Sequence, residues 1–239
     1  MHRGVFIGNN VRNQEKRILI LGESHHWSKG DWELKPNETE EQAEERRKKK
    51  AEEYETKKVI TNYLDNYKTR SRDRAYQFFE KIILSFGLDP ERERETFWNN
   101  VYFGNYIEEL CGIKDGKAAN VLKTKNGGIL NREKYNDTLF EFINLNRIDI
   151  VFCFGRLVFN NLPSLNKEYF TEEKCQDKIE IKKSGKPIDY IANCAYLPDI
   201  NHKSTNFVLK KRLDVYGLKH PSAYGFNPEN YVDVLKKLL

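Results

Sequence analysis

The sequence predicts a three-layer α/β/α fold around a central, mainly parallel four-stranded sheet. Two short apolar runs that each end in Gly, Arg17–Gly22 and Asp149–Gly155, are typical of parallel strands buried on both faces. Amphipathic helical stripes lie between the strands, and this alternation is typical of a parallel sheet with helices on both sides. At 239 residues, a single domain over 1–239 with one insertion is the simplest organisation.

Two further strands complete the expected sheet. Thr96–Asn105 is aromatic and β-branched, and Leu213–Leu218 runs directly into His220-Pro221-Ser222. Helices are expected where apolar residues recur at helical spacing or where caps are present. These are Ala75–Phe86 with Gly87 as the C′ residue, Tyr135–Ile143, Arg156–Leu162 before Pro163, and a C-terminal helix that begins at Asn227-Pro228.

Two segments do not fit this repeat. An insertion at about 30–72 contains a strongly charged stretch, 37–58, which is Glu-rich first and then basic over Arg46–Lys50. Asn37 and Glu40 resemble a capping box, so we expect a solvated helix or helical hairpin that projects from the domain. The basic run could contact a phosphate backbone or be only a solvated face. Residues 178–192 alternate around Ser184-Gly185 and predict a β-hairpin at the sheet edge.

The composition narrows the classes of function. A net charge of +5 and a pI of about 8.8 are compatible with a phosphate-bearing partner without requiring one. The cysteines at 111, 153, 175 and 194 form no Cys-x-x-Cys pair, so neither a zinc ribbon nor an iron–sulfur cluster is expected. Cys153 lies in an apolar run, which predicts a buried thiol. With neither a signal peptide nor a bilayer-spanning run, we expect a cytoplasmic monomer without membrane contact.

Polar residues follow each predicted strand, which is where ligands bind in parallel α/β sheets. They are Glu23, Ser24, His25 and His26 after the first strand, Asn105 and Tyr106 after the second, Arg156 after the third, and His220 and Ser222 after the fourth. Together they can supply a general base, hydrogen bonds to a nucleobase edge and an anion stabiliser.

Structural roles remain open for several of these residues. Glu23 could cap a helix, one of the two adjacent histidines could simply pack, and Asn105 could be a turn residue. A metal site from the histidines and Glu23 is disfavoured, because His25-His26 lacks the i, i+4 spacing of a helical zinc site. No metal is therefore expected.

The order of these motifs resembles the uracil-DNA glycosylase superfamily. Its members have a first strand that ends in a Gly-Gln-Asp-Pro-Tyr or Gly-Glu-Ala-Pro-Gly type of loop, a second that ends in Asn, a third that ends in Leu-Gly, and a last that enters His-Pro-Ser. The corresponding segments here are Gly22-Glu23-Ser24-His25, Val101–Asn105, Val151–Gly155 and Leu218–Ser222. They anchor nearly the whole chain except the insertion and the hairpin.

The resemblance implies hydrolysis of the N-glycosidic bond of a flipped base in DNA. It implies catalytic roles in holding water and stabilising the departing base for Glu23, Ser24, His25 and His220. It implies base binding by Gly22, His26, Trp27, Asn105 and Tyr106. Contacts with DNA would come from Arg156, Lys219, Ser222 and Tyr224, with Phe226 as an alternative wedge. The aromatic that stacks on the base could be Trp27, Trp32 or Phe78.

The sequence departs from the family pattern in the first loop. Ser24 stands where the best-known members carry a water-activating Asp, and His25 replaces Pro. A second hypothesis is therefore a catalytically weak or inactive DNA- or nucleotide-binding module of the same fold. A third notes that Gly-Glu-Ser-His-His resembles the loop of erythromycin-esterase-like hydrolases, although His-Pro-Ser has no place in that family.

Overall fold

The structure is a computed structural model that describes residues 4–24, 33–52, 55–70, 74–107, 113–114, 117–118, 131–164 and 177–239. Several residues named above lie outside the described residues: His25, His26, Trp27, Trp32, Cys111 and Cys175. Their predicted roles stay predictions.

The described part of the chain contains these strands: β1 (Phe6–Ile7), β2 (Ile18–Gly22), β3 (Tyr102–Asn105), β4 (Ile113–Lys114), β5 (Lys117–Ala118), β6 (Ile150–Phe154), β7 (Asp177–Lys183), β8 (Lys186–Tyr196) and β9 (Leu213–Leu218). Seven of them form a mixed sheet in the order β1-β3-β2-β6-β9-β8-β7, and β4 and β5 form a separate ribbon. The α/β class is confirmed.

The expectation of a four-stranded sheet is wrong. The predicted strands β3, β2, β6 and β9 are neighbours and run parallel, so they form only the centre. β1 joins one side antiparallel to β3, and β8 joins the other side antiparallel to β9. A parallel core leaves unpaired backbone N–H and C=O groups at both edges. The predicted hairpin pairs with one edge, and β1, which was not predicted from the sequence, pairs with the other.

The predicted strand at 96–105 begins later than expected. Thr96–Asn99 is the end of helix α4 (Pro90–Asn99), which Asp89 caps by accepting a hydrogen bond from the Glu91 backbone N–H at 2.9 Å. The side chains of Phe97 and Trp98, which lie on this helix, are buried. A short apolar run cannot by itself distinguish a strand from a buried helix end, which explains the error.

Helices cover both faces of the sheet. The other helices are α1 (Glu40–Ala51), α2 (Thr56–Arg70), α3 (Arg74–Ser85), α5 (Arg132–Asn146), α6 (Arg156–Asn161) and α7 (Val232–Leu238). Helices α5 and α6 pack with one face, whereas α2, α3, α4 and α7 pack with the other. The helices predicted from apolar stripes and caps are confirmed; Gly87 has φ 72°, and Asn227 caps a 3₁₀ turn before α7.

The two helices of the charged insertion (about 30–72) differ: α1, which covers most of the charged stretch, is largely exposed as expected, whereas α2 is part of the core. Ile60 and Tyr63 on α2 are completely buried, and the Tyr63 ring lies 5.2 Å from that of Phe79 on α3. The predicted capping box is also displaced. Asn37 has φ 67°, and the reciprocal bonds join Thr39 and Gln42 at 3.0 and 3.3 Å.

The basic run on α1 is largely neutralised by its own helix and the turn before it. Arg46 bonds Glu38 at 2.7 Å, and that hydrogen bond holds the pKa of Glu38 at about 2. Arg47 pairs with Glu40 at 2.7 Å, and Lys48 with Glu44 at 3.3 Å. The ion pairs favour a solvated face over a phosphate-binding patch.

Two smaller predictions are confirmed. β7 and β8 form the hairpin, with β7 at the sheet edge and with Ser184 and Gly185 at φ 51° and 78°, as a type I′ turn requires. Cys153 is a buried free thiol, and burial raises its pKa well above the usual range. Among the described helices, none is long and apolar enough to cross a bilayer.

Candidate functional site

The ends of β2 and β3 bring Gly22 and Asn105 together as register partners. The pairing continues beyond the strands, since the Ile107 backbone N–H donates to the Glu23 carbonyl at 2.9 Å. A Cβ added to Gly22 would lie 2.5 Å from Asn105 Oδ1. Only glycine therefore allows the Asn105 amide to lie across the end of β2.

The other end of this amide contacts the charged insertion. Asn105 Nδ2 donates to Thr56 Oγ1 at 3.4 Å, and Thr56 is the first residue of α2. Sequence reasoning did not identify Thr56, because nothing in a charged segment 49 residues upstream indicates contact with the end of β3.

His220 follows β9 and lies on the same face of the sheet as Asn105. Its ring centroid is 5.3 Å from that of Phe78 on α3, with the planes tilted by 38°. A Cβ added to Gly155, directly after β6, would lie 3.7 Å from His220 Cδ2. Phe78, one of the predicted stacking aromatics, therefore lies beside the imidazole.

The loop around His220 fixes which ring nitrogen carries the proton. The Ser222 backbone N–H donates to His220 Nδ1 at 3.1 Å, so the neutral ring carries its hydrogen on Nε2. The Ala223 N–H donates to the His220 carbonyl at 2.9 Å, and Lys81 Nζ donates to the Pro221 carbonyl at 2.9 Å. Lys81, one turn after Phe78 on α3, was not predicted.

Asn105 and His220 come from strands that are not neighbours. With β2 and β6 between them, β3 and β9 lie roughly 14 Å apart. The Asn105 amide lies over Gly22 of β2, however, and the His220 ring lies close to Gly155 after β6. The two polar groups thus converge over adjacent strands, which are spaced at about 4.8 Å.

The predicted catalytic loop is described only at its start. Glu23 and Ser24 directly follow β2 and are both half-buried. Their positions agree with the expectation that polar residues after the parallel strands share one edge. The loop continues with His25, His26 and Trp27, which lie outside the described residues.

Tyr106 has a structural role. It is 3% exposed, and its hydroxyl lies within hydrogen-bond distance of two acceptors, Asn136 Oδ1 on α5 at 2.8 Å and the Asn161 carbonyl at 3.0 Å. Because the side chain points to the α5 face, it is directed away from Asn105 and His220. We therefore remove Tyr106 from the predicted base-binding residues.

Arg156 is also engaged elsewhere. Its guanidinium forms a short ion pair with Asp189 on β8, donates to the Tyr190 carbonyl at 2.6 Å and lies 3.7 Å above the Tyr190 ring centroid. Asp189 also accepts from the Tyr231 hydroxyl. These bonds attach the hairpin to α6, so the geometry contradicts a phosphate-binding role for Arg156.

Because of Asp189, the free energy of unfolding should decrease as the pH falls into the acid range. Burial alone would raise the pKa of Asp189, but hydrogen bonds from Tyr231 and Arg156 outweigh it and hold the pKa below its usual value. Its stabilisation is complete above the unfolded pKa of about 3.9 and is lost as the pH falls through the lower folded pKa. We expect Asp189→Asn to reduce the free energy of unfolding at neutral pH by ~1–3 kcal/mol.

Urea unfolding between neutral pH and about pH 3 measures this effect. The difference between wild type and Asp189→Asn should shrink as the pH falls. Asp214→Asn, which breaks the more exposed pair with Arg212, is the matched control and should cost less than ~1 kcal/mol. A constant difference across this range would contradict the role of the Asp189 carboxylate.

The loop after His220 presents side chains to solvent beside the site. Ser222 is exposed, and Tyr224 is fully exposed at its tip. Lys219 Nζ would lie 3.4 Å from a Cβ on Gly225, so its ammonium group is close to this loop. Phe226, the alternative wedge, is buried and stacks on Tyr231 with centroids 5.1 Å apart. Tyr224 is therefore the better candidate for contact with a ligand.

A small cavity lies on the opposite face, between the sheet and α5. It has a volume of about 20 Å³, and its mainly apolar lining, which includes Leu19, Leu21 and Phe142, also contains Asn105 and Tyr106. That volume holds about one water molecule, so it is too small for a base. The described residues contain no group of three or more His, Cys, Asp or Glu side chains that could hold a metal.

No protein-family model matches the chain, and no curated protein matches it significantly. The site is therefore interpreted from its own geometry.

Proposed function

We propose that the protein hydrolyses the N-glycosidic bond of a flipped uracil or other altered base in DNA. The main support is the His220 imidazole. Its Nδ1 accepts from the Ser222 backbone N–H, so a neutral ring carries its hydrogen on Nε2, the nitrogen that would donate to a base carbonyl. The ring lies beside Phe78 and on the same sheet face as Asn105.

The proposed reaction uses each described group at a defined step. Asn105 hydrogen-bonds the edge of the base, and Phe78 packs against its face. The water oxygen forms a bond to the anomeric carbon as the carbon–nitrogen bond breaks, and the bonding electrons leave with the base. His220 donates to the base carbonyl as that charge develops, and the Glu23 carboxylate takes the proton from water.

Contacts with the strand would come from the loop after His220. Lys219 supplies a positive charge near a phosphate, and Ser222 offers a hydroxyl. Tyr224 presents an exposed ring that can stack with bases next to the extruded nucleotide, a contact typically worth ~1–3 kcal/mol. Arg156 and Tyr106 have no part in this proposal.

Base release from labelled oligonucleotides tests the proposal directly. Single- and double-stranded oligonucleotides with one uracil, or with another deaminated or damaged base, are incubated with the protein and cleaved by alkali at abasic sites. We expect release of at least one altered base at a rate far above that from a matched oligonucleotide with only normal bases. Absence of release across the panel would contradict hydrolysis.

Ser24 favours a second candidate, a DNA- or nucleotide-binding module of the same fold. A neutral hydroxyl is a poor base for activating water, and Ser24 stands where the resembling family has Asp. This candidate predicts DNA binding that weakens steeply as salt rises, without base release on the same panel. Fluorescence anisotropy over a salt series, run beside the release assay, distinguishes the two candidates.

A further inference from the structure

Thr56 brings the charged insertion into contact with the proposed base-binding site. Thr56 begins α2, is only 6% exposed, and places its Oγ1 3.4 Å from Asn105 Nδ2. Behind it, Ile60 and Tyr63 anchor α2 in the core. Thr56 is therefore held at Asn105 by a helix that is well packed.

The orientation of the Asn105 amide matters because its two ends have opposite hydrogen-bonding character. A threonine hydroxyl can both donate and accept, so Thr56 alone does not choose between the two orientations. The close contact with Gly22 determines which of the two orientations the amide adopts. Asn105 Oδ1 lies 2.5 Å from where a Gly22 Cβ would be, in the direction of a glycine hydrogen.

An oxygen in that position can accept a weak Cα–H···O contact. An amide NH₂ in the same place would direct its hydrogens against those of Gly22. The close approach therefore favours Oδ1 at Gly22 and Nδ2 at Thr56. In this orientation the second Nδ2 hydrogen and the remaining Oδ1 lone pair are the groups that a base can use.

We propose that Thr56, together with Gly22, is a specificity-determining residue that holds the Asn105 amide in the orientation required by one class of base. That class has an exocyclic oxygen next to a ring N–H, as uracil and thymine have. Cytosine presents the reverse pattern, an amino group next to a ring acceptor. The class of base in this inference rests on the proposed function, but the orientation of the Asn105 amide can be measured without any catalytic activity.

The first experiment measures the amide in the full-length protein. Side-chain NH₂ signals are recorded by ¹H–¹⁵N NMR, and the Asn105 pair is assigned by its loss in Asn105→Ala. We expect Thr56→Val to shift this pair and speed its exchange with water, because the hydroxyl acceptor is gone while the shape is kept. Thr56→Ser should preserve the wild-type signals.

Thr61→Val is the matched control, since Thr61 is an exposed threonine on the same helix. It should leave the Asn105 pair unchanged. Thr56→Ala provides a second hydroxyl-free variant if Thr56→Val folds poorly, and urea unfolding checks both. An Asn105 pair that is the same in wild type and in the hydroxyl-free variants would overturn the proposal.

The second experiment measures discrimination between bases. Release rates are compared for matched oligonucleotides with uracil or cytosine at one position. We expect the uracil-to-cytosine ratio to fall about fivefold or more in Thr56→Val, the equivalent of one hydrogen bond of ~1 kcal/mol. The ratio should be kept in Thr56→Ser and Thr61→Val. An unchanged ratio in Thr56→Val would overturn the specificity role.

The two experiments separate the two proposals. If the wild-type protein releases no base while the Asn105 signals respond to Thr56→Val, hydrolysis is contradicted and the orientation of the amide is supported. If bases are released and the signals do not respond, hydrolysis is supported and the role of Thr56 is contradicted.

Discussion

Replacing His220 with Ala should reduce base release by about a hundredfold or more, with kcat and kcat/KM falling together. Removing one preorganised donor to developing negative charge typically has an effect of this size. The two constants should fall equally because the donor acts mainly on the departing base and little on the bound ground state. The measurement is steady-state release on the best substrate found for the wild-type protein.

The stability of the variant must be checked, since His220 packs beside Phe78. Urea unfolding should show only a small change, because the ring is half-buried. Lys237→Ala on the exposed face of α7 is a suitable control and should retain wild-type rates. A loss of less than about tenfold in His220→Ala would contradict the proposed role of the imidazole.

Truncating Tyr63 to Ala should reduce the free energy of unfolding by ~3–5 kcal/mol, the usual cost of removing a large buried aromatic side chain. Tyr63 is completely buried and packs edge-on against Tyr76, with centroids 5.2 Å apart. It belongs to the insertion, so this result would show that the insertion stabilises the domain. Urea unfolding monitored by fluorescence measures the change.

Tyr63→Phe separates the ring from its hydroxyl. The buried hydroxyl has no hydrogen-bond partner among the described residues, and burial raises its pKa. Removing an unsatisfied buried polar group should therefore leave stability unchanged or increase it. A cost below ~1 kcal/mol for Tyr63→Ala would instead indicate an insertion that is detached from the core, as its charge suggested.

Local patterns in the sequence were sufficient for the central elements. Apolar runs that end in Gly predicted β2 and β6, and the stripe before Gly87 predicted α3 with the correct end. The turn at Ser184-Gly185 predicted the hairpin. These features depend on burial on both strand faces, helical periodicity and left-handed turn residues, all of which are encoded within a few neighbouring positions.

Predictions failed where a local pattern suits two kinds of structure, or where the role of a residue depends on a partner that is distant in the sequence. Thr96–Asn99 contains aromatics that suit a strand or a buried helix end, and Asp89-Pro90 decided for the helix. Arg156 follows a parallel strand as a ligand-binding residue would. Its partner is Asp189, which lies 33 residues further along the chain.

The sequence by itself determined the order of the four parallel strands along the chain and the types of residue that follow them. Those patterns depend on neighbours in sequence. Only the tertiary structure decided that β1 extends the sheet, that the hairpin pairs next to β9, and that α2 joins the core. It also decided that Thr56 and Gly22 bracket the Asn105 amide. Such contacts join residues that are tens of positions apart in the sequence. They contribute to stability only once folding has brought these residues together, so no local pattern indicates them.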